Sequence, residues 1–498
     1  MIDTVLALDF GTSSARARLV DRKGRVVATG RAPCHLRVPK PGRMELDVPD
    51  LLRSVTKAVR SCLRRTPGRK ADPDVVVVGA PAHSLAAVDA KGRARTPLLL
   101  GGDRRAHREA AGLVRGPDAD GLYQRTGCPM HPAFPLVKLL WLKKHAPDLF
   151  APGTRFVSAK AILLRALTGR EAEDEATASA SGLANLVTRR WDPGAAALAG
   201  LRADRLPEIV PVRTVVGGLA PAFARATGLA AGTPVVAGAT DGNHAVHGLG
   251  AEAPGVVATT LGDTAAIRTV VTRPKTDPRR ALTCGVFDEG RWLLGADSDN
   301  GGNVLDWFRE TLTGGRLTWA EMERLVARRP AGPVPVLAYP FLHGERSPVW
   351  DPRRTGAIIG LRADADDGEL AAAFFQGIAF GLRHLLGILE ENSRPVERLL
   401  VSGDAFQNPA LLRRLADTLG RTIEVPATLE AAALGAARLG FETLDGGKPG
   451  PPFPLRTRRV TPDPRSADAY GAAWRLHRAG LDALAPLWAA VGARVDLS

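Results

Sequence analysis

Residues Thr4–Arg16 read TVLALDFGTSSAR, and this stretch decides the fold class. Its apolar first half predicts a buried strand over Val5–Asp9, because apolar runs bounded by turn residues are typical of strands in a covered sheet. A turn of Gly, Thr and Ser follows, and the alternating pattern after it predicts a second strand over Arg16–Val20. A third strand is expected over Arg25–Gly30. The chain therefore opens with a strand–turn–strand unit that carries an acid at the end of its first strand.

The same pattern begins again near the middle of the chain. Pro234–Gly238 predicts a strand that leads into a glycine-rich turn, and Val256–Leu261 predicts another strand that ends in small residues. Such a duplication predicts two similar α/β halves with a ligand in the cleft between them. The other predicted elements are a buried strand at Val75–Val78, helices at Leu136–His145, Lys160–Leu167, Glu369–Leu389 and after Asn408, a strand at Leu399–Val401 and a loop at Asp445–Pro454.

Length and composition limit the class of protein. A chain of 498 residues is too long for one ordinary core, so we expect two domains, at residues 1–246 and 247–498. The four cysteines are scattered and form no CxxC pair, which argues against a disulfide framework or a zinc site. No signal-peptide pattern precedes the first strand, and no apolar run is long enough to span a bilayer. A cytoplasmic protein without a membrane partner is expected.

The formal charge of +15 permits two interpretations. Clustered basic residues neutralise the phosphates of nucleic acids, but a solvated arginine-rich surface gives the same total. The basic residues are spread along the whole chain, and only 5% of the residues are aromatics, on which single-stranded nucleic acids stack. The second interpretation is favoured, so no nucleic-acid partner is expected.

The first motif that carries chemistry is DFGTSSAR, at Asp9–Arg16. It combines an acid, a turn with free N–H and hydroxyl groups, and a cation. A phosphate group needs such donors, and the magnesium ion that accompanies it needs a carboxylate. A simple hairpin turn uses the same residues, and the motif alone does not decide between the two. The segment TTLGDT at Thr259–Thr264 echoes it, so one such turn from each half would grip a polyphosphate from opposite sides.

The second motif is GATDGN, at Gly238–Asn243. An acid in a glycine-flanked turn after a buried strand approaches a substrate hydroxyl closely, and Asp241 would accept the proton as the oxygen attacks phosphorus. The alternative is a turn in which the carboxylate only caps local N–H groups. In isolation, the alternative is the better interpretation.

Two longer segments make the sequence resemble the FGGY carbohydrate kinases. PLVKLLWLKKH at Pro135–His145 is similar to the first signature of that family, apart from Ala133, where a larger residue, Gly or Ser is usual. The segment Gly356–Gln376 is similar to the second signature, with Phe374 as the one departure. The resemblance runs over nearly the whole chain, with the phosphate motifs before and between the two signatures. It implies two actin-like (ribonuclease H-like) domains around a central cleft, with sugar on the first domain and nucleotide on the second.

Within the family the likeness is closest to gluconokinases. ASASGL at Ala178–Leu183 and GERSPVW at Gly344–Trp350 resemble that subgroup, although pentulose kinases share several such segments. The resemblance implies ATP-dependent phosphorylation of a terminal hydroxyl of a small open-chain sugar or sugar acid. Gluconate is the first expectation, and a pentulose kinase acting on xylulose or ribulose is the alternative. Gluconate needs a cation for its carboxylate, for which Arg105 and His83 are the candidates.

The resemblance also implies roles for single residues. Asp241 would be the catalytic base, and Asp9 with Asp241 would hold Mg²⁺ beside the phosphates of ATP. Lys138 and Trp141 would be structural. The implied ATP contacts are Thr12, Ser13, Arg16, Gly262, Asp263, Thr264, Gly302, Leu305, Asp306, Gly403, Asp404 and Asn408, and the implied sugar contacts are Ala82, His83, Asp103, Arg105, Asp241, Gly242 and Asn243.

Two departures from the family pattern keep a further alternative open. Relatives usually carry Thr at the position of Asp263 and Gly at the position of Asp404. An extra carboxylate beside a triphosphate repels it, and a side chain at position 404 crowds the adenine, since Gly is used where a ligand approaches closely. Both changes are compatible with a catalytically impaired actin-like sensor of sugar or nucleotide. The sequence leaves the oligomeric state open, with a homodimer among the alternatives.

Overall fold

The computed structural model describes residues 3–11, 13–66, 72–403 and 408–495. The elements of its first half, in chain order, are β1 (Thr4–Phe10), β2 (Ser14–Asp21), β3 (Val26–Pro33), β4 (Glu45–Leu46), α1 (Val48–Arg64), β5 (Val75–Gly79), β6 (Ala86–Val88), β7 (Leu98–Leu99), α2 (His107–Val114), α3 (Ala119–Thr126), α4 (Pro135–His145), β8 (Arg155–Val157), α5 (Ala159–Thr168), β9 (Ala172–Asp174), α6 (Glu175–Ser179), α7 (Pro193–Leu198), β10 (Glu208–Val210), β11 (Val215–Gly218), α8 (Pro221–Thr227), β12 (Pro234–Val236) and α9 (Asp241–Gly248).

The second half repeats this mixture of strands and helices. Its elements are β13 (Val256–Leu261), β14 (Ala265–Val271), β15 (Thr283–Asp288), β16 (Arg291–Ser298), α10 (Gly302–Trp307), α11 (Trp319–Arg328), β17 (Leu337–Tyr339), β18 (Ala357–Ile359), α12 (Asp367–Asn392), β19 (Arg398–Ser402), α13 (Pro409–Leu419), β20 (Ile423–Pro426), α14 (Ala431–Leu444), β21 (Thr457–Val460) and α15 (Ala467–Gly492).

The opening hairpin lies at the centre of the first large sheet. The strand order is β11-β12-β5-β1-β2-β3, with β1 antiparallel to β2 and parallel to β5. Strand β12 is parallel to β5. The carboxyl ends of β1, β5 and β12 therefore share one edge, which is where open α/β sheets bind ligands. The predicted strands at Val5–Asp9, Arg16–Val20 and Val75–Val78 are confirmed within β1, β2 and β5.

The second large sheet repeats the arrangement. Its order is β15-β16-β14-β13-β19-β20-β21, with β13 antiparallel to β14 and parallel to β19. The predicted strands Val256–Leu261 and Leu399–Val401 are confirmed, as is the helix after Asn408. The predicted helix Glu369–Leu389 lies within α12, which packs against this sheet. Each half thus places a hairpin and a parallel neighbour strand at its centre.

Helix α12 is long and apolar enough to cross a membrane by length and composition alone. Its most apolar window is 78% buried inside the protein. Phe375, Ile378 and Leu382 contribute to the large core of the second half. This burial is typical of the core helix of a globular domain.

Two glycines let the halves of the molecule meet at a helix crossing. A Cβ atom at Gly248, the last residue of α9, would overlap the carbonyl of Ala431 in α14, and one at Gly435 would overlap the carbonyl of His244. Helix α14 also packs on the first sheet, where a Cβ at Gly440 would lie 2.9 Å from side-chain carbons of Val5 and Val77. The predicted boundary at residue 246 falls inside α9, and the division of the chain there stays a prediction.

We expect Gly435→Ala to lower the free energy of unfolding by about 1–3 kcal/mol, because the added methyl forces two backbones apart. Gly387→Ala is the matched control: it lies in α12, and a Cβ there meets nothing within 4 Å. This control should be neutral or stabilising by about 0.5–1 kcal/mol, since alanine is the better helix former. Urea titrations followed by circular dichroism measure both, and equal midpoints for the two variants would contradict the packing argument.

Candidate active site

Two of the predicted carboxylates meet at the carboxyl edge of the first sheet. Asp9, in β1, is paired in the parallel ladder with Gly79 of β5. One residue further, Ala80 forms a parallel bridge with Thr240, and the N–H of Asp241 donates to the carbonyl oxygen of Ala80 at 3.3 Å. The ladder therefore sets Asp9 and Asp241 at the ends of the two strands that flank β5, although they are far apart in sequence.

Asp241 is the first residue of α9, and its side chain is exposed to the cleft. Thr240 caps the helix by accepting from the N–H of Asn243, and the N–H of Gly242 donates to Oδ1 of Asp241 at 2.8 Å. The surrounding protein raises the pKa of Asp241 through desolvation, while Arg268 and the N–H of Gly242 oppose this shift. A higher pKa makes the carboxylate a better proton acceptor.

Asp9 is held with one oxygen unsatisfied. Its Oδ1 atom is buried and has no hydrogen-bond partner among the described residues. Burial and the neighbouring charge of Asp241 raise the pKa of Asp9 to about 6, and Arg16 opposes the shift. An orphaned carboxylate oxygen beside a second carboxylate fits a hard divalent cation, since Mg²⁺ is typically held by one or two carboxylates together with phosphate oxygens and water.

A cavity in the cleft brings five of the seven predicted sugar contacts together. Its lining includes Ala82, His83, Asp241, Gly242 and Asn243. The second half of the chain closes the other side with residues of β14, β15 and β16, among them Arg268, Thr283, Gly285 and Asp297.

His83 has a backbone that its neighbours hold in place. Its φ of 69° lies in the left-handed region, and the buried ammonium of Lys138 donates to the carbonyl oxygens of both His83 and Ala133 at 2.6 Å. The imidazole Nδ1 lies 2.8 Å from the carbonyl of Ala180. Burial, together with Arg346 and Lys138, lowers the pKa of His83 to about 4, so the ring is neutral. The structural role expected for Lys138 is confirmed.

The structure places Asp103 and Arg105 behind the cavity, not in its lining. Asp103 is fully buried and accepts from Nε and Nη2 of Arg105 at 2.8 and 2.7 Å. The same guanidinium also pairs with Glu45 and lies over the ring of Trp141, 5.2 Å from its centroid. These partners leave Arg105 without a role as the cation for a sugar carboxylate. The expectation of a direct sugar contact by these two residues is corrected to a structural one.

Asn243 lines the cavity but its amide is already engaged. Its Nδ2 donates to the carbonyls of Val286 and Phe287 at 2.9 and 3.2 Å, and its Oδ1 accepts from the hydroxyl of Thr240 at 2.7 Å. The side chain thus ties α9 to β15 in the other half of the molecule. It shapes the cavity by joining its two walls.

The turn after β13 forms a second, open groove. Gly262, Asp263, Gly302 and Asp306 line it together with Trp319. The N–H of Gly302 donates to the carbonyl of Gly262 at 2.8 Å, which fixes α10 against the turn. Four of the predicted ATP contacts therefore converge, and Asp263 is exposed at this groove with Thr264 beside it.

The remaining predicted ATP contacts have mixed placements. Ser13 is exposed at the turn after β1, and Arg16 faces Asp9 across the ladder. Gly403 follows β19 with a φ of 123°, and a Cβ there would overlap the carbonyl of Leu261. Thr12 and Asp404 lie outside the described residues.

The structure corrects one of these contacts, Leu305, while the contact of Asn408 stays a prediction. The Leu305 side chain is 2% exposed and belongs to the core of the second half, so it does not face the groove. Asn408 is the N-cap of α13, where its Oδ1 accepts from the N–H of Ala410 at 2.9 Å and its Nδ2 donates to Glu323 at 3.4 Å. Its amide acts first as a helix cap.

The sequence did not predict three residues that shape the site, namely Arg268, Asp297 and Lys160. Arg268 and Asp297 lie on neighbouring strands and form an ion pair of 2.7 Å inside the cavity. Lys160 is fully buried in α5, where its Nζ donates to the carbonyls of Ala237 and Ala239 at 2.9 Å each. A lone lysine in the apolar helix AKAILLRALT was a readable signal for Lys160. Arg268 and Asp297 gave no such signal, because they meet only through strand pairing.

Comparisons with known proteins agree with this geometry. Residues 4–248 match the FGGY family of carbohydrate kinases, N-terminal domain, and residues 257–443 match its C-terminal domain. The chain is 28% identical to a gluconokinase from Bacillus licheniformis over 451 residues, covering 89% of this chain and 88% of that protein. It is 29% identical to a xylulose kinase from Streptomyces rubiginosus over 449 residues, covering 89% of each.

Solved structures extend the likeness to the whole fold. The crystal structure of gluconate kinase from Lactobacillus acidophilus has a TM-score of 0.90 at 25% identity, covering 97% of this chain and 98% of that one. A ligand-bound xylulose kinase from the same organism has a TM-score of 0.90 at 26% identity, covering 97% and 99%. The two-domain actin-like fold expected from the sequence is confirmed. The chain belongs to the FGGY family of carbohydrate kinases and is a phosphotransferase that acts on a sugar.

Proposed function

We propose that this chain transfers the terminal phosphoryl group of ATP to the terminal hydroxyl of a small open-chain sugar acid, with gluconate as the substrate. The observation that carries the proposal is the position of Asp241, which lies at the sheet edge, beside Asp9 and within the cavity. Arg268 is the only Lys or Arg among the described residues that line this cavity. It supplies the cation that a carboxylate substrate needs.

In the proposed reaction Asp241 accepts the proton of the attacking hydroxyl. The N–H of Gly242, which donates to Oδ1, holds the carboxylate in place, and its raised pKa favours proton transfer. Asp9 and Asp241 would hold Mg²⁺, whose chemistry is to neutralise charge on the phosphates. The turns after β1 and β13 would position the polyphosphate from opposite lobes, so that catalysis rests on positioning and electrostatics.

A pentulose kinase is the second candidate, and one observation favours it. The charge of Arg268 is already paired with Asp297 at 2.7 Å. Together the two side chains offer donors and acceptors that suit the hydroxyls of an uncharged polyol such as xylulose or ribulose. The choice between the candidates depends on whether Arg268 recognises a carboxylate. The buried, free cysteines and the use of ATP fit a cytoplasmic location, which we propose for either case.

We expect Asp241→Asn to lower kcat by about 10²–10⁴-fold, because the amide cannot accept the proton. Sugar binding, measured by calorimetry, should stay within about threefold of the wild type, since shape and hydrogen bonding change little. ADP release is assayed with gluconate, xylulose, ribulose and glycerol. Asp204→Asn is the control: it removes an exposed acid that lines neither the sugar cavity nor the second groove, and it should keep kcat.

Near-normal turnover by Asp241→Asn would refute the assignment of the base. Saturable sugar binding by the wild type without turnover on any of the four substrates would instead identify a catalytically impaired sensor. Turnover of one substrate selects between the acid and the pentuloses. Each result therefore separates two of the candidates.

Arg268→Met should lower kcat/KM for gluconate by about tenfold or more relative to kcat/KM for xylulose, because a charge-assisted hydrogen bond contributes about 1.5–3 kcal/mol. The ratio cancels any effect on Asp241 that both substrates feel. Arg18→Met is the matched control, since Arg18 is half-buried and paired with Glu430 at 2.8 Å, outside the cavity lining. An unchanged ratio in the Arg268 variant would contradict carboxylate recognition.

In the absence of Mg²⁺ and nucleotide, the ionised carboxylate of Asp9 should lower the free energy of unfolding. Its folded pKa of about 6 exceeds the ordinary value of 3.8, so ionised Asp9 destabilises the fold as pH rises through 6. Asp9→Asn should then be more stable than the wild type by about 2–3 kcal/mol at pH 8, and this gain should shrink toward zero near pH 4. Thermal unfolding from pH 4 to 8 measures the difference.

Asp21→Asn is the control of opposite sign. Burial alone would raise the pKa of Asp21, but hydrogen bonds from the N–H and guanidinium of Arg25 more than offset it, and the net pKa is lowered. The stability that ionised Asp21 contributes is present above its ordinary pKa and is lost as pH falls. Its variant should therefore lose stability at pH 8. A gain for Asp9→Asn that does not vary with pH would contradict the electrostatic explanation.

A further inference from the structure

A second cavity, partly open to solvent, lies between α12 and the C-terminal helix α15. Its volume is ≈ 210 Å³, which is larger than the roughly 150 Å³ apolar cavity known to bind benzene. Phe341, Ile378, Leu382 and Leu481 contribute to a largely apolar lining. We call this space the α12–α15 cavity.

The α12–α15 cavity has room built into its wall. Gly381 of α12 lines it, and a Cβ atom at Gly381 would meet nothing within 4 Å. Beside the cavity, α15 is in tight contact with β17, the strand that contains Tyr339. A Cβ at Gly480 of α15 would overlap the hydroxyl of Tyr339, and that hydroxyl donates to the carbonyl of His477 at 3.1 Å. The space is therefore a defined pocket beside a close-packed seam.

Polar groups that face the cavity lack partners. His477 lines it and is 2% exposed, and its imidazole has a hydrogen-bonding contact with the carbonyl of Ala338, which leaves the other ring nitrogen without a partner among the described residues. The ring stacks on Tyr339 with centroids 4.5 Å apart. A buried ring nitrogen without a partner is costly, and a ligand with a hydrogen-bonding group would remove that cost.

The charges around the cavity favour an anion. Arg354 makes no ion pair with a described residue, its Nε atom is buried without a partner, and the guanidinium lies over the ring of Trp488, 4.1 Å from the centroid. Arg478 also makes no ion pair among the described residues and contacts His384. The acids on the lining are Glu345, which accepts from Ser298 and whose pKa is raised to about 8 by burial and Asp299, and the exposed Asp482.

We propose that the α12–α15 cavity binds a small carboxylic acid with an aromatic body. The apolar walls would take the ring, and the guanidinium of Arg354 would take the carboxylate. Glu345 is protonated at neutral pH and does not repel such a ligand. This site is separate from the proposed sugar and ATP sites, and direct binding tests it whether or not gluconate is the substrate.

The cavity shares a wall with the sugar site. Ser347 lines the α12–α15 cavity, its N–H donates to the carbonyl of Asp297 at 2.9 Å, and its hydroxyl accepts from the N–H of Asp297 at 3.3 Å. Asp297 lines the sugar cavity. A ligand that moves Ser347 therefore moves a residue of the sugar site.

The test uses phenylacetate as the probe, titrated into the full-length protein and followed by calorimetry. Saturable binding is expected, and Gly381→Leu, which fills the cavity, should weaken it by about tenfold or more. Gly387→Leu is the matched control on the same helix, because a Cβ there also meets nothing within 4 Å but the residue does not line the cavity. It should bind phenylacetate as the wild type does.

Two further measurements check the chemistry. Arg354→Met should also weaken phenylacetate binding by about tenfold, and phenylacetamide, which lacks the charge, should bind the wild type about tenfold more weakly than phenylacetate. Absence of saturable binding to the wild type, equal binding by the Gly381 and Gly387 variants, or equal binding of acid and amide would each overturn the proposal.

The shared wall gives an independent readout. Saturating phenylacetate should change the affinity for the sugar substrate selected by the ADP-release assay by about twofold or more in the wild type. It should leave this affinity unchanged in Gly381→Leu. An unchanged sugar affinity in the wild type would overturn the link between the two cavities.

Discussion

The ammonium group of Lys160 is the interaction on which the catalytic edge depends. It is buried in α5, reaches the carbonyls of Val78, Ala237 and Ala239 at the ends of β5 and β12, and pairs with Asp174 at 3.3 Å. Backbone groups beyond the last ladder hydrogen bond must find other partners when they are buried. Lys160 supplies them at the point where the chain leaves the sheet toward Asp241. The position of the base therefore rests on a cation that is not in the cleft lining.

The carboxyl edges of the two large sheets carry different kinds of residues. In the first half, carboxylates whose pKa values are raised by desolvation are concentrated there, at a cost to the unliganded fold. In the second half, the edge carries the glycine contacts of Gly262, Gly302 and Gly403 and leaves an open groove. A sheet edge with acids opposite a sheet edge rich in glycine is suited to hold a cation on one lobe and a polyphosphate on the other.

Most of the fold was readable from the sequence, because local patterns determine it. The run of four valines and the strands before the two small-residue turns needed only composition and periodicity, and the order of motifs and signatures suggested a repeated domain. Of the predicted site residues, Asp241 and His83 line the sugar cavity and Gly302 lines the second groove, and their roles stay predictions. Residues whose environment depends on long-range pairing were not readable from the sequence. Arg105 looked like a free cation until Glu45, sixty positions away, was found beside it, and Arg268 meets Asp297 only because β14 pairs with β16.

The crossing of Gly248 over α14 has a mechanical consequence. Helix α9 carries the catalytic base at its first residue and contacts the backbone of α14 at its last residue, about two turns away. At this crossing the two backbones are in direct contact, and a close-packed contact transmits displacement with little loss. A displacement of about half an ångström at the crossing would therefore change the direction in which the Asp241 carboxylate points. A larger side chain at the crossing, although far from the substrate, would then lower the catalytic rate of a protein that still folds.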